Sequence, residues 1–201
     1  MSTDFVLKLA STSPTRREML EKAGVAVTCH APLVDEDMIK AALLAEGAPP
    51  RDIADQLAEA KARKIGQKFP DSVTLGADQV LELEGQVFSK PESPEEALDH
   101  LKRLAGKTHK LHSAGVVYEG GKPVWRHISE ARLTMRAASP AYLADYVQRN
   151  WPGIGCSVGA YRIEEEGVRL FERIDGDHFT ILGLPLIPLL GWFGTRGFIA
   201  S

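Results

Sequence analysis

Apolar and polar positions switch between two periods along the chain, and each switch marks an element. Phe5 to Ala10, apolar except for Lys8, predicts a buried strand. Met19, Leu20 and Ala23 then recur at helical spacing, with Ser13 suited to cap the helix, Pro14 to its first position and Gly24 to its end. Val25 to His30 predicts a second strand. The acidic turn Val34-Asp35-Glu36-Asp37 follows, then helices over Ile39–Glu46 and Arg51–Lys68, divided by Gly47-Ala48-Pro49-Pro50. A strand with an apolar start, Val73 to Ala77, then Asp78-Gln79-Val80-Leu81, follows, with Asp78 read as the end of its buried part, and Glu84-Gly85 reads as a hairpin turn into Gln86–Phe88. Ser93-Pro94 opens a helix that Gly106 closes. Two long strands, about Lys107–Tyr118 and Val124–Arg136, flank Glu119-Gly120-Gly121-Lys122. In the second, Ala131, Leu133 and Met135 share one face, with Glu130, Arg132, Thr134 and Arg136 on the other. Ser139-Pro140 opens another helix. A glycine-dotted loop from Gly153 to Gly159 leads to a strand around Val168–Ile174, and Gly183-Leu184-Pro185-Leu186 leads into a short apolar helix. Interleaved strands and helices with several hairpins predict an α/β fold with a mixed sheet.

Composition narrows the function. A chain of 201 residues, 44% hydrophobic, can build one sizeable core or two lobes. No apolar run approaches the roughly 20 residues of a membrane span. The N-terminus lacks a basic region followed by an apolar stretch, so no membrane or secretory role is expected. The two cysteines, Cys29 and Cys156, are then read as reduced thiols in a cytoplasmic protein. With 24 basic and 27 acidic residues evenly mixed, the chain is not expected to bind nucleic acid. His109 and His112, three apart in a strand, point to opposite faces and make a poor metal pair. Cys156 has no histidine near it in sequence and reads as a small residue in a tight loop rather than a nucleophile.

The first strand runs straight into Ser11-Thr12-Ser13-Pro14-Thr15-Arg16-Arg17. Free backbone N–H groups and the dipole at a helix N-terminus favour an anion, and the two arginines add donors that match phosphate oxygens. A capped surface helix with two solvated arginines would give the same pattern, so the phosphate reading needs company. Asp78 supplies some, since a carboxylate at the end of a buried strand is costly unless paired or metal-bound. Gly76 beside it admits a close approach to the backbone. Lys61 falls in the apolar row Ile53, Leu57, Lys61, Ile65, where a lysine ordinarily snorkels outward. Lys90 precedes a backbone-fixing proline, and Glu36 lies in the acidic turn, able to hold a divalent cation or simply to be solvated.

In combination these residues resemble a known family. Ser11-x-Ser13-Pro14-x-Arg16-Arg17, Val34-Asp35-Glu36, Ala60-Lys61-Ala62, Gly76-Ala77-Asp78, Lys90-Pro91, Gly106-Lys107-Thr108-His109, Gly159-Ala160-Tyr161 and Gly183-Leu184-Pro185-Leu186 occur in the order seen in Maf proteins, over about residues 5–193. The resemblance implies a single Maf-type domain of two-lobed α/β fold, with a long twisted mixed sheet flanked by helices and a nucleotide cleft between the lobes. It implies hydrolysis of a nucleoside triphosphate to a monophosphate and pyrophosphate, with Mg²⁺ or Mn²⁺, in a homodimeric house-cleaning enzyme for modified or non-canonical nucleotides. Asp78 would activate water, alone or with the metal. Ser11, Arg16 and Arg17 would hold phosphates, Lys61 and Lys90 would neutralise charge, and Glu36 would join Asp78 as a metal ligand.

Three positions separate the family's subgroups. Gln79 and Glu164 match the group that acts on 7-methyl-GTP, whereas Thr15 stands where that group has tryptophan and the pyrimidine group arginine. A glutamate accepts two hydrogen bonds from the N1–H and exocyclic amine of guanine, which a uracil or thymine edge cannot offer. The expected substrate is therefore of guanine type, with 7-methyl-GTP as the leading form. The alternatives are UTP or dTTP as substrate, or a nucleotide-binding regulator of cell division with weak hydrolysis.

Overall fold

Three helices start at the same dipeptide. Ser13-Pro14 opens α1 (Pro14–Lys22), Ser93-Pro94 opens α4 (Pro94–Leu104) and Ser139-Pro140 opens α5 (Pro140–Asn150). Each serine hydroxyl accepts from the backbone N–H three residues on, while the proline takes a position whose N–H would have no helical partner. In this computed structural model, which describes residues 5–200, the other elements are β1 (Leu7–Ala10), β2 (Val27–Cys29), α2 (Glu36–Ala45), α3 (Pro50–Lys68), β3 (Thr74–Leu83), β4 (Gln86–Phe88), β5 (Thr108–Glu119), β6 (Lys122–Met135), β7 (Phe171–Asp175), α6 (His178–Ile181) and α7 (Leu186–Thr195). The strands form one mixed sheet in the order β2-β1-β3-β5-β6-β7, with β4 paired to β3 off that path. The α/β expectation holds.

The chain divides into two compact units. The first comprises the described residues up to 79 together with 112–129 and those from 177 on. In it β1 pairs in parallel with both β2 and β3, Leu9 opposite Cys29 on one side and Leu75 on the other. Its core gathers Leu7, Leu9, Met19, Leu20, Val25, Leu75, Val117, Leu184, Leu189 and Phe193, so α1 and α7 close over the strands. Parallel pairing sets Ala10, the last residue of β1, opposite Gly76. The N-terminus of α1 thus starts where parallel strands end, the usual place for a ligand in such sheets.

The second unit comprises residues 80–111 and 130–176. There β3 turns into β4, Leu81 opposite Phe88, and β6 pairs antiparallel with β7. Helices α4 and α5 lie against each other, and Ala131, Leu133 and Met135 are buried as their alternation predicts.

Four local expectations are corrected. The acidic turn is the start of α2, because the Asp35 side chain accepts from the Met38 N–H at 2.9 Å and caps it. The buried part of the strand does not end at Asp78; β3 runs on to Leu83, with Val80, Leu81 and Leu83 buried. The strand expected from Val168 begins at Phe171, after a 3-10 turn over Glu166–Leu170. The four-residue α6, too short to show a period, has no counterpart in the sequence reading.

Candidate active site

Asp78 sits in the middle of β3, only 7% exposed, with its Oδ1 2.6 Å from the Lys61 Nζ. Gly76 makes that contact possible. A Cβ there would lie 2.1 Å from the Ala58 carbonyl oxygen and 2.5 Å from the Ala62 nitrogen, so α3 meets β3 backbone to backbone. At that separation Lys61 cannot snorkel. It stays buried, 6% exposed, and its ammonium also donates to the Glu36 Oε2 at 2.8 Å. The expectation of an outward Lys61 is overturned because two carboxylates meet its charge inside.

The two arginines of α1 part company. Arg16 turns inward: its Nε donates to the Gly183 carbonyl at 2.8 Å and its Nη1 to the Ser11 hydroxyl at 3.5 Å. Burial pushes this guanidinium below its ordinary value, and the negative charges of Asp78 and Glu36 push it back up. Ser11 is buried and also accepts from the Ser13 N–H at 3.1 Å. Arg17 turns outward and pairs with Glu21 at 2.7 Å along the exposed face of the helix. No acidic residue occupies the first turn of α1, whereas α4 carries Glu95 and Glu96 there. Arginines beside a positive helix end are unfavourable for the isolated helix and suit an outside anion.

The sequence reading missed two features. Lys40 follows Glu36 by four residues on α2, which places both on one helix face. It is half-buried; burial pushes its ammonium below the ordinary lysine range, against the opposing pull of Asp37 and Asp78. The Glu36–Lys40 spacing was the available signal. The second feature is the Gly183 turn, where φ is +96° and a Cβ would press within 3.3 Å of the Arg16 Nη2. The motif was visible in the sequence, its role as the backbone carbonyl that holds Arg16 was not.

Of the candidate base-selecting positions in this unit, Thr15 is half-buried on α1, and Gln79 uses its amide nitrogen within the protein, facing the Thr180 and Ile181 carbonyls at 3.0 and 2.9 Å. In the second unit, Glu164 accepts from the Arg162 Nε at 3.2 Å, and Lys90 is exposed after β4. His109, buried on β5, shares a 2.7 Å hydrogen bond with the Tyr161 hydroxyl, and Cys29 and Cys156 are free.

Glu36 and Asp78 converge on a single point, the Lys61 nitrogen. No group of three or more His, Cys, Asp or Glu side chains able to hold a metal occurs among the described residues. Two carboxylates supply only part of a coordination shell, which suits an ion such as Mg²⁺ or Mn²⁺ that keeps waters and shares its ligands with substrate. They do not fit a closed all-protein cage.

Fold and site together define an α/β protein with a buried acid–lysine pair beside an arginine-bearing helix N-terminus. The chain matches the Maf-like protein family over residues 6–195 and belongs to it. Among its relatives, a nucleoside triphosphate pyrophosphatase of Ruegeria pomeroyi is 58% identical, covering 96% of this chain and 97% of that one. A 7-methyl-GTP pyrophosphatase of Rhizobium etli is 45% identical, covering 92% and 93%. Among solved structures, the Staphylococcus aureus Ham1 protein is similar at 10% identity and a TM-score of 0.39, over 66% of this chain and 73% of that one, too loosely to add to the argument. No helix among the described residues is long and apolar enough to cross a membrane.

Proposed function

We propose that this chain is a nucleoside triphosphate pyrophosphatase that cleaves the bond between the α- and β-phosphates. The observation that carries the reading is the Lys61 ammonium held between Asp78 and Glu36, with Arg16 close enough to feel both carboxylates. The names of the relatives from Ruegeria pomeroyi and Rhizobium etli support it.

In the reaction, a water oxygen bonds to the α-phosphorus as the bridging oxygen to the β-phosphorus leaves with pyrophosphate. Asp78 takes the proton that the water gives up. Arg16, Ser11 and the free N–H groups of α1 grip phosphate oxygens, and Lys61 offsets the charge that gathers on the leaving group. Glu36 and Asp78 would hold a Mg²⁺ or Mn²⁺ ion, which when bound supplies positive charge to the phosphates. Lys90 is assigned to phosphate, with a lesser part for Arg17, which pairs outward with Glu21, and Thr15 and Glu164 are assigned to the choice of base, as the family resemblance implies. The proposed substrate base is of guanine type, with 7-methyl-GTP leading. Gln79, its nitrogen already engaged, can offer a base only the acceptor oxygen, which suits a donor-bearing edge. We also take the protein to work in the cytoplasm, as a homodimer, in clearing modified nucleotides.

The test is pyrophosphate release from GTP, 7-methyl-GTP, UTP, dTTP, CTP and ATP with Mg²⁺ or Mn²⁺. The reading expects release with some of these, best with 7-methyl-GTP, and its loss on chelation with EDTA. Asp78→Asn should lower turnover by about a thousandfold while nucleotide binding persists. Release from none of them would sink the enzyme reading, and a preference for UTP or dTTP would sink the guanine assignment alone.

A further inference from the structure

Gln79 follows Asp78 on β3, so its side chain leaves the opposite face of the strand. Its amide nitrogen lies 3.0 Å from the Thr180 carbonyl, 2.9 Å from the Ile181 carbonyl and 3.0 Å from the Ser113 hydroxyl. Carbonyl oxygens only accept, so the nitrogen end of the amide must face them. Ser113 in turn donates to the Thr180 carbonyl at 2.6 Å. Both N–H bonds of Gln79 are therefore spent inside the protein.

The carbonyls it meets belong to the last residues of α6, which as C-terminal helical groups have no partner within their own helix. The other end of this short helix is fixed by Asp177, whose side chain accepts from the Thr180 N–H at 3.0 Å. The chain then bonds the Gly183 N–H to the Thr180 carbonyl at 3.1 Å and swings through the positive φ of Gly183. The carbonyl of Gly183 itself is the one that holds the Arg16 Nε. Hydrogen bonds to the Thr180 carbonyl and from Arg16, linked through the backbone of Gly183, thus join Gln79 to Arg16 through a single turn.

We propose that Gln79 is a positioning residue for the phosphate site: by capping α6 from the sheet it locks the 180–183 turn, and the Gly183 carbonyl then fixes the plane of the Arg16 guanidinium. The proposal rests on the reading of Arg16 as a phosphate ligand. It makes Gln79 act on every nucleotide alike, through the triphosphate, besides any contact with a base. A guanidinium that binds phosphate through two parallel N–H groups depends on its orientation, so a loosened Gly183 carbonyl weakens substrate binding.

Gln79→Glu is the sharpest test, because it keeps the shape and the acceptor and removes both donors. Ser113→Ala is the milder second variant, should Gln79→Glu fail to fold. In the full-length protein with Mg²⁺, either change should raise KM by a similar factor for GTP, 7-methyl-GTP, UTP and ATP, about tenfold for Gln79→Glu, with kcat changed less. Combined with Arg16→Ala, the Gln79 change should add little further, since the path ends at Arg16. Hydrogen exchange at the amides of residues 181–184 should quicken. A loss confined to one base, an effect that adds fully to Arg16→Ala, or unchanged exchange at 181–184 would each overturn the proposal. If the unmodified protein releases no pyrophosphate at all, the enzyme reading fails. The lock itself is still decided by exchange: quickened exchange supports it, unchanged exchange overturns it.

Discussion

Helix α3 carries two ion networks with opposite arrangements of charge. Asp55 and Glu59, one turn apart on the helix, share a single cation, Arg126 of β6, at 2.5 and 2.7 Å, and Glu59 also accepts from the Tyr118 hydroxyl at 2.9 Å. Lys61 reverses the pattern, one cation between the carboxylates of Asp78 on β3 and Glu36 on α2. In the first network the two acids would repel each other along the helix, and Arg126 removes that repulsion from a position 44% open to solvent. Arg63, one turn further along α3, also acts on Glu59, and the second oxygen of Asp55 is buried without a hydrogen bond. In the second the cation is buried, its partners come from two further elements, and the charge of Asp78 also reaches Arg16 and Lys40. The first network holds its cation at the surface, where water screens it, and the second holds its cation inside. The difference lies in whether the cation is exposed or buried.

The comparison can be broken first at its functional end. Lys61→Met leaves two carboxylates facing each other and should lower kcat/KM by about a hundredfold or more. It should also destabilise the fold by about 3 kcal/mol, read from chemical denaturation. If activity survives, the Lys61 network is a brace like the other.

A buried polar pair without any ion supplies a control. Burial pushes His109 down to about 4, so the folded protein keeps it neutral. The unfolded chain takes up the proton first as pH falls, because its histidine has the ordinary value near 6.5. Stability from this group is therefore complete above about pH 6.5 and is lost as pH falls through 6.5 toward 4, by about 3 kcal/mol at most. Denaturation midpoints between pH 7 and 4 should show that fall, and His109→Phe should flatten it. An unchanged slope in His109→Phe would assign the acid sensitivity elsewhere.

Arg126→Ala strips the cation from Asp55, itself 7% exposed, and should cost about 2 kcal/mol while kcat and KM stay within about twofold. A large loss of turnover would erase the distinction between the networks. The smallest effect belongs to Arg17, which pairs with Glu21 on the exposed face of α1. Arg17→Ala should change stability by less than about 0.5 kcal/mol and raise KM far less than Arg16→Ala does. Equal effects would mean that Arg17 leaves Glu21 for the substrate.

The legible parts of the molecule were those where cause and effect lie within one turn or one strand. Ser13, Ser93 and Ser139 announced three helix starts because a cap bonds to its own neighbour three residues on. Ala131, Leu133 and Met135 announced their buried face because side chains alternate on any strand. Asp78 and Lys61 were each conspicuous as charges among apolar residues, yet each alone suggested the wrong local structure. The carboxylate suggested the end of the buried part of its strand, and the lysine an outward-reaching side chain. Their pairing reverses both, for each makes the burial of the other tolerable.

The sequence by itself determined the class of fold, the capped helix at the end of β1 and the set of charged residues available for phosphate chemistry, because local hydrogen bonding and alternation need no distant partner. Only the tertiary structure decided which charges meet. It drew α3 onto Gly76, turned Arg16 inward to the Gly183 carbonyl and Arg17 out to solvent, and engaged the nitrogen of Gln79 behind α6. The Lys61–Asp78 and Arg16–Gly183 contacts join residues 17 and 167 positions apart in the chain. A charge is stabilised by whatever lies within a few ångströms of it, and over such separations only the packed fold sets what that is.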